Sequence, residues 1–335
     1  MTNNLNSINS KSELINNIFG FNPKEITSCN SNIAKSYAPT NFALIKYWGK
    51  GNEELMIPNT DSISIALGNS CGTTTEISIN DRDIFILDGK EYDCDSKEYK
   101  NTFKFVNLFK NEKIYLKINT KNDLALASGL ATSASGFAAL ILTLNELFNW
   151  KLNDKKLSML ARLGSVSASR SIYKNGIVRL TKGKNSLYTS SHKLPYKLDN
   201  LYVGILSFSE TSKKVSSRDG MSITIENSLL YKYGWKKQVN HDIKDLLFSL
   251  KNNDWQLFKT TVQNNALSMH GTAISAGVIY WSSETVNAIK YILELQESGV
   301  DICFTEDAGE HLKILSKDKD IISKHFPTAK IIKIF

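Results

Sequence analysis

The sequence predicts an α+β fold built as two lobes with a cleft between them, and three observations carry that expectation. Short β-type segments separated by Asn, Asp and Gly turns occupy residues 74–118. A long apolar stretch that suits only a buried helix follows them. Beyond a polar break at residues 190–200, strands and helices are interspersed again, so both halves mix the two element types.

The first strands fall at residues 74–79, 84–87 and 114–118, where Ile, Leu, Phe, Tyr and Thr dominate, and they read as members of one mixed sheet. The run from Gly136 through Phe148 is too long for a strand and apolar nearly all round, which places a helix in the middle of a domain. A second helix over residues 154–163 leads into Gly164-Ser-Val-Ser-Ala-Ser-Arg170. Past the break, residues 202–208 read as a buried strand. Helices follow around residues 223–233, 241–251, 255–266 and 282–298, then strands at 300–304 and 330–335. No internal repeat is visible, and the first 35 residues, rich in Asn, Ser, Lys and Ile, read as a leader.

Composition narrows the function classes. A chain of 335 residues that is 41% hydrophobic is about two domains' worth of globular protein and excludes a disordered one. Cysteines 29, 71, 94 and 303 are too few and too scattered for a disulfide scaffold, a zinc site or a redox motif, and suit a reducing cytoplasm. The longest apolar run, residues 136–144, is about half of a membrane span, so a soluble, cytoplasmic protein is expected. Lys and Arg number 41 against 33 Asp and Glu, a formal charge of +8. That excess points to an anionic partner: nucleic acid, membrane surface or phosphorylated metabolite.

Five segments carry candidate chemistry. Residues 125–136, Ala-Leu-Ala-Ser-Gly-Leu-Ala-Thr-Ser-Ala-Ser-Gly, feed directly into the buried helix. Small side chains let a backbone approach an anion, and the free N–H groups of a helix start favour phosphate there. No Walker lysine and no strand-GxGxxG pattern is present, so the segment is either a phosphate cradle or a hydroxyl-capped turn. In residues 36–50, Lys46 and Lys50 bracket Tyr47, Trp48 and Gly49, a set able to grip a diphosphate or to end an amphipathic strand with snorkelling lysines. Residues 164–170 space three serines by one and end on Arg170, whose planar fork suits a carboxylate, a phosphate or a surface salt bridge. Residues 212–221 form a further basic, hydroxyl-rich loop. At residues 303–309 a buried strand runs out into Glu306 and Asp307. A carboxylate there accepts a proton or orients a hydroxyl, or else closes a turn onto its own backbone.

Taken together and in order, these segments resemble the diphosphomevalonate decarboxylases of the GHMP kinase superfamily. The strings that carry the resemblance are Ala-Pro-Thr-Asn-Phe-Ala-Leu-Ile-Lys-Tyr-Trp-Gly-Lys at residues 38–50 and Ser-Gly-Leu-Ala-Thr-Ser-Ala-Ser-Gly-Phe-Ala-Ala at 128–139. Ser-Val-Ser-Ala-Ser-Arg at 165–170, Lys-Lys-Val-Ser-Ser-Arg-Asp-Gly-Met at 213–221, Met269-His270 and Phe-Thr-Glu-Asp-Ala-Gly at 304–309 complete the set. They span about residues 36–315, and Lys-Tyr-Trp-Gly-Lys is the most specific of them.

The resemblance implies a two-lobed GHMP kinase fold with a cleft active site: an N-lobe similar to domain 2 of ribosomal protein S5 and a ferredoxin-like C-lobe. The corresponding division is an N-terminal extension at 1–35, an N-terminal domain at 36–197 and a C-terminal domain at 198–335. The implied activity is ATP-dependent decarboxylation of mevalonate 5-diphosphate to isopentenyl diphosphate through phosphorylation of the 3-hydroxyl, a step of the mevalonate pathway of isoprenoid biosynthesis. Its cofactors are ATP and Mg²⁺. Carried over by position, Asp307 polarises or deprotonates the 3-hydroxyl and Arg170 holds the substrate carboxylate. Tyr47, Lys50, Ser216, Ser217 and Arg218 grip the diphosphate, with Ser165 and Ser167 lining the same pocket. Gly129, Leu130, Ala131, Thr132, Ser133, Ala134 and Ser135 cradle the ATP phosphates, and the hydroxyls of Thr132 and Ser133 lie nearest the transferred phosphoryl. A homodimer is implied, and no metal ligand is assigned.

The chain departs from the family pattern at Ala125-Leu126, where Pro-Thr is typical, at residues 59–62, at Gly271 and at Glu310-His311. Glu306 adds a carboxylate beside Asp307. No proposed catalytic group is lost. Sister activities on the same fold are a decarboxylase of mevalonate 5-phosphate and a mevalonate 3-kinase that stops after phosphorylation; Lys50 with Arg218 favours the longer anionic tail. A basic nucleic-acid-binding protein is a more distant alternative, opposed by the lack of an RNP-like aromatic motif and of a long basic tract. Neither nucleic acid nor membrane is expected as a partner.

Overall fold

The computed structural model describes residues 8–27, 31–123, 132–208 and 215–334, with Thr132 described by its backbone alone. It opens on helix α1 (Lys11–Phe19), capped by the Ser10 hydroxyl, which accepts the Glu13 N–H, and closed by Gly20 at φ 82°. Leu14, Ile15 and Ile18 bury its apolar face in the N-terminal core, and Phe19 meets Trp150 edge to face at 4.9 Å. This part of the presumed leader is therefore a structural element of the N-terminal half.

There follow β1 (Ile33–Pro39), β2 (Asn41–Ile45), β3 (Lys50–Asn52), β4 (Ile57–Pro58), β5 (Ser62–Leu67), β6 (Gly72–Asn80), β7 (Ile84–Leu87) and β8 (Lys90–Tyr92). Next come α2 (Lys97–Val106), β9 (Tyr115–Asn122), α3 (Thr132–Leu147), α4 (Asp154–Arg162), α5 (Ala168–Ser171), β10 (Asn175–Thr181) and β11 (Ser190–Lys193). One sheet has the order β1-β6-β9-β7-β8 and a second the order β11-β10-β5-β2. The first is mixed, as the sequence predicts, because β7 runs parallel to β9 while its other neighbours pair antiparallel. Helix α3 packs against β1 and β6 with Ala138, Ala139, Ile141 and Leu144 fully enclosed, which is why its sequence is apolar on nearly every side. Its one enclosed hydroxyl in this stretch, Thr143, bonds the carbonyls of Thr75 and Ala139.

The C-terminal half contains β12 (Tyr202–Leu206), α6 (Ser217–Asn227), α7 (Lys236–Asn252), α8 (Trp255–Ile274), α9 (Ser283–Glu297), β13 (Cys303–Glu306), β14 (Leu312–Ser316), α10 (Lys319–His325) and β15 (Lys330–Lys333). Its antiparallel sheet has the order β13-β14-β12-β15. One hydrophobic core crosses the two halves: Phe42, Leu44, Ile63 and Ile65 of β2 and β5 share it with Val203, Val239, Leu246 and Phe258. That shared core holds the end of β2 against the end of β13, and the cleft opens there.

Several boundaries differ from the sequence reading for local reasons. The helix read over 223–233 begins at Ser217, because the Ser216 hydroxyl caps it by accepting the Asp219 N–H, and it ends at Asn227. The helix read over 255–266 continues to Ile274, with Met269, His270 and Ala273 extending its buried face. The strand read from residue 300 starts at Cys303, since Gly299 at φ 83° and the Val300 N–H, bonded to the Leu295 carbonyl, close the end of α9. The polar break begins with β11, whose Lys193 pairs with Val178. Among the described residues no helix is long and apolar enough to cross a membrane.

Candidate active site

A cleft of about 820 Å³ lies where β2, β13, α3, α5 and α6 converge. Lys46 is the first residue beyond β2 and Asp307 the first beyond β13, so two strand ends from opposite halves deliver opposite charges to one point. Lys46 Nζ donates to Asp307 Oδ1 at 2.8 Å and to the Ala43 carbonyl at 2.7 Å. Lys313, from β14, brings its Nζ to 3.3 Å from Asp307 Oδ2. The aspartate is thus clasped by an ammonium on each oxygen while 30% of its side chain stays open to the cleft. Burial alone pushes its carboxyl up, but Lys46 and Lys313, by charge and hydrogen bonds, outweigh it and hold the pKa well below the usual carboxylate range. Burial lowers Lys46 to about 8, against the pull of Asp307. The Lys46 backbone N–H donates to Asn265 Oδ1 at 2.7 Å, and the Asn265 amide in turn donates to Asp242 at 2.7 Å, which ties the strand end to α8 and α7.

Arg170 reaches the cleft from α5, which Asn41 anchors by donating to the Ser167 carbonyl and the Ser171 hydroxyl. The guanidinium is 2% exposed, donates from Nη1 to the Ser62 hydroxyl at 2.6 Å and lies 5.9 Å from the Tyr47 ring. Among the described residues its Nε has no hydrogen-bond partner and no acid lies within ion-pair distance. Burial brings it down to about 10. The other deeply buried arginine, Arg162, shows the contrast: its fork bonds the Leu55 carbonyl and both oxygens of Ser186 and so serves the core. A buried cation left without an acid and facing a cleft is built for an anion that arrives from outside.

The remaining candidates line the same cleft in different states of commitment. The Ser165 and Ser167 hydroxyls are 3.0 Å apart on its wall. Lys50 is buried, with Nζ 2.7 Å from the largely exposed carboxylate of Glu53. Ser217 and Arg218 open α6 on the facing side, whereas the Ser216 hydroxyl both caps that helix and donates to the Asp219 carboxylate at 2.6 Å. Ser133 is exposed in the first turn of α3 and faces the cleft. Ala134 is enclosed, and Ser135 turns away from the cleft, with its hydroxyl 2.7 Å from that of Thr73 in the sheet. Gly129, Leu130, Ala131 and the Thr132 side chain lie outside the described residues.

Two family models match the chain in succession: the diphosphomevalonate decarboxylase-like N-terminal domain over residues 38–192, and the mevalonate 5-diphosphate decarboxylase C-terminal domain over residues 203–328. The chain belongs to the diphosphomevalonate decarboxylase family. Mevalonate diphosphate decarboxylase from Staphylococcus aureus superposes with a TM-score of 0.84 at 33% identity, covering 91% of this chain and 96% of that one. A structure of MDDEF in complex with MVAPP, AMPPCP and magnesium gives 0.81 at 32%, covering 90% and 96%. The diphosphomevalonate decarboxylase of Danio rerio is 30% identical over 83% of this chain and 74% of its own length.

Within this family fold, sequence reasoning overlooked how the cleft is wired. It grouped Lys46 with Lys50 as a diphosphate clamp, whereas Lys46 is committed to Asp307, 261 positions away. Lys313 and Asn265 were not singled out at all, and nothing local marks them; only the convergence of β13, β14 and α8 does. The turn-residue reading of Asp307 does not apply, since its carboxylate bonds two lysines. The family string Lys-Tyr-Trp-Gly-Lys has a geometric reason at its glycine. Gly49 sits at φ 95°, and a Cβ there would stand 2.2 Å from the Tyr231 oxygen. That phenol donates to the Trp48 carbonyl and accepts from Asn59, each at 2.8 Å, and so fixes the turn that presents Tyr47 and Lys50. Gly49→Ala is expected to raise KM for the phosphorylated substrate about tenfold and to cost about 1–3 kcal/mol of stability. Steady-state kinetics and a thermal melt check this; an unchanged KM would show that the turn does not set the grip.

Proposed function

We infer that this chain catalyses the ATP-dependent decarboxylation of mevalonate 5-diphosphate to isopentenyl diphosphate, a step in isoprenoid biosynthesis. The observation that carries the reading is the pairing, in one cleft, of a doubly clasped Asp307 with a buried Arg170 that has no acid partner among the described residues. The substrate offers what these groups lack: a tertiary hydroxyl for the carboxylate and a carboxylate for the guanidinium.

Tyr47, Lys50, Ser217 and Arg218 hold the diphosphate, with Ser165 and Ser167 along the wall between it and Arg170, and Lys50 exchanges the exposed Glu53 for phosphate oxygen. Ser216 assists through its cap, which sets the start of α6 beside the diphosphate. Thr132 and Ser133 in the first turn of α3, with the segment before that helix, receive the ATP phosphates. The Asp307 carboxylate accepts a hydrogen bond from the 3-hydroxyl and aims its oxygen at the γ-phosphorus, and the hydroxyl proton passes toward the Asp307 and Lys46 pair as the new P–O bond forms and the bond from the γ-phosphorus to the bridging oxygen breaks, with ADP leaving on that electron pair. Mg²⁺ carried with ATP supplies charge neutralisation on the phosphates. Among the described residues no three His, Cys, Asp or Glu side chains cluster together.

The second step follows from electron flow. The C3–O bond breaks with its electron pair leaving on phosphate, and the pair of the C1–C2 bond becomes the C2=C3 double bond as carbon dioxide departs. Arg170 holds the carboxylate so that this bond lies parallel to the empty orbital forming at C3.

The chain is further read as a cytoplasmic homodimer, divided into 1–35, 36–197 and 198–335. The three described cysteines, all free thiols, support the compartment, and the exposed Leu229, Leu230, Tyr233 and Phe248 support a partner surface.

Purified protein supplied with ATP, Mg²⁺ and, in turn, mevalonate, its 5-phosphate and its 5-diphosphate tests the reading. Carbon dioxide, phosphate and ADP are expected one for one with the diphosphate. ADP without carbon dioxide would leave a kinase, and preference for the 5-phosphate would reassign the substrate.

A further inference from the structure

Glu306 precedes the proposed catalytic aspartate, and its side chain points to the opposite face of β13, where it is fully enclosed. A buried carboxylate needs donors. Trp281 supplies one, its indole N–H reaching Oε2 at 2.6 Å. His270 Nε2 lies 3.6 Å from the same oxygen, and its ring is 1% exposed. Among the described residues neither His270 Nε2 nor Glu306 Oε1 has a hydrogen-bond partner, so each of the two neighbouring buried side chains holds one unsatisfied polar atom.

The tautomer of His270 decides which of them carries the proton. Its ring makes a backbone hydrogen bond to Asp307, of the kind that favours a ring N–H. Because Nε2 is the unpartnered nitrogen, that bond belongs to Nδ1, and Nε2 is left with a lone pair. Burial first, and then the charge of Lys46, lower His270 to about 3, so it does not take up a second proton. The only matching arrangement puts the proton on Glu306.

We propose that Glu306 is a positioning residue in the form of a neutral carboxylic acid, which accepts from Trp281, donates to His270 Nε2 and through that ring fixes the backbone of Asp307. The proposal rests on the reading of Asp307 as the catalytic carboxylate. The groups facing this site are Lys46, Lys313, Asp307 and His270. Burial is the largest influence on Glu306 and, with the negative Asp307, raises it to about 8 against the lowering effect of the two lysines and of Trp281. A neutral Glu306 also leaves the two lysines facing a single carboxylate, a net positive end of the cleft suited to an anionic substrate.

Three measurements on the full chain test this. Gln at 306 keeps an N–H donor and an acceptor in the same shape, whereas Met fills the space with neither. Glu306→Gln is expected to keep kcat within about threefold of wild type, and Glu306→Met to lower kcat about tenfold with KM for ATP unchanged, the worth of one buried hydrogen bond. Equal kcat in the two variants, or an equal loss in both, overturns the positioning role.

Stability reports the proton separately. A carboxyl whose folded pKa is raised is stabilising below the unfolded value of 4.5 and loses that contribution as pH climbs to about 8. The wild-type thermal midpoint is therefore expected to fall relative to that of Glu306→Gln across this window, and parallel curves overturn the proposal. Infrared spectra at neutral pH supply the third readout: a carboxylic-acid C=O band present in wild type and missing from Glu306→Gln. Its absence in wild type also overturns the proposal. If Asp307→Asn proves active while the band and the stability difference are seen, the reading of Asp307 fails and the neutral acid stands.

Discussion

Asp307→Asn is expected to lower kcat about 10³-fold or more while leaving ATP affinity within about twofold of wild type. The substitution keeps the size of the side chain but removes the carboxylate that pairs with both Lys46 and Lys313 at the cleft end. An amide can still accept one hydrogen bond, yet its N–H₂ then faces an ammonium, and it takes no proton from the 3-hydroxyl. Lys46 loses its counter-charge as well. Burial already lowers it to about 8 against the pull of Asp307, and removing that pull lowers it further, so the variant loses the base and weakens the local positive field together. Single-turnover phosphate transfer and a titration of ATP in the absence of the second substrate separate the chemistry from nucleotide binding. Near-normal turnover would falsify the assigned role.

Arg170→Lys is expected to lower kcat/KM on the order of 10²-fold, although the charge is retained. The guanidinium reaches the cleft as a plane, with Nη1 held by Ser62 and the Tyr47 ring beside it, which leaves other N–H groups of the fork for two carboxylate oxygens. A lysine offers one point of charge at the end of a flexible stem and cannot hold the scissile C1–C2 bond in one plane. Its ammonium would also be more strongly penalised by the same burial that takes Arg170 down to about 10. Quench-flow measurement of ADP against carbon dioxide is informative here, because loss of alignment slows the second step more than the first. A variant within about threefold of wild type in both products would remove Arg170 from the role of carboxylate clamp.

How much of this was legible in the chain depends on whether a group works with its neighbours or with distant ones. The mixed sheet of β6, β7 and β9 and the buried helix α3 are written in apolar periodicity, which is a local property. Glycine and hydroxyl content marked the segment entering α3, and short strings such as residues 38–50 and 165–170 placed Tyr47, Lys50, Ser165, Ser167 and Arg170 on one cleft. The strings did not show commitment. Ser135 and Ser133 are two residues apart in one run of small residues, but the first hydroxyl is buried on Thr73 and the second faces the cleft. That follows from which side of α3 meets the sheet, about 200° of rotation apart for positions i and i+2. Helix α1 escaped notice because a short segment in polar surroundings has too few apolar positions to signal that Leu14, Ile15 and Ile18 close a core.

What the sequence by itself determined is the fold class, the family string by string, and the chemical types present: a strand-end aspartate, an arginine after alternating serines, lysines around an aromatic turn. Only the tertiary structure decided which charge answers which. Lys46 and Asp307 are 261 positions apart and meet because β2 and β13 end at the same place on a shared hydrophobic core. Arg162 and Arg170 are eight residues apart and both buried, yet both terminal nitrogens of the first are held by carbonyl and hydroxyl oxygens of the core, while the second gives one to Ser62 and faces the cleft. The reason is physical: apolar burial is encoded residue by residue, whereas the state of a buried charge is a property of the pair, and a pair exists only once the chain has brought its members together.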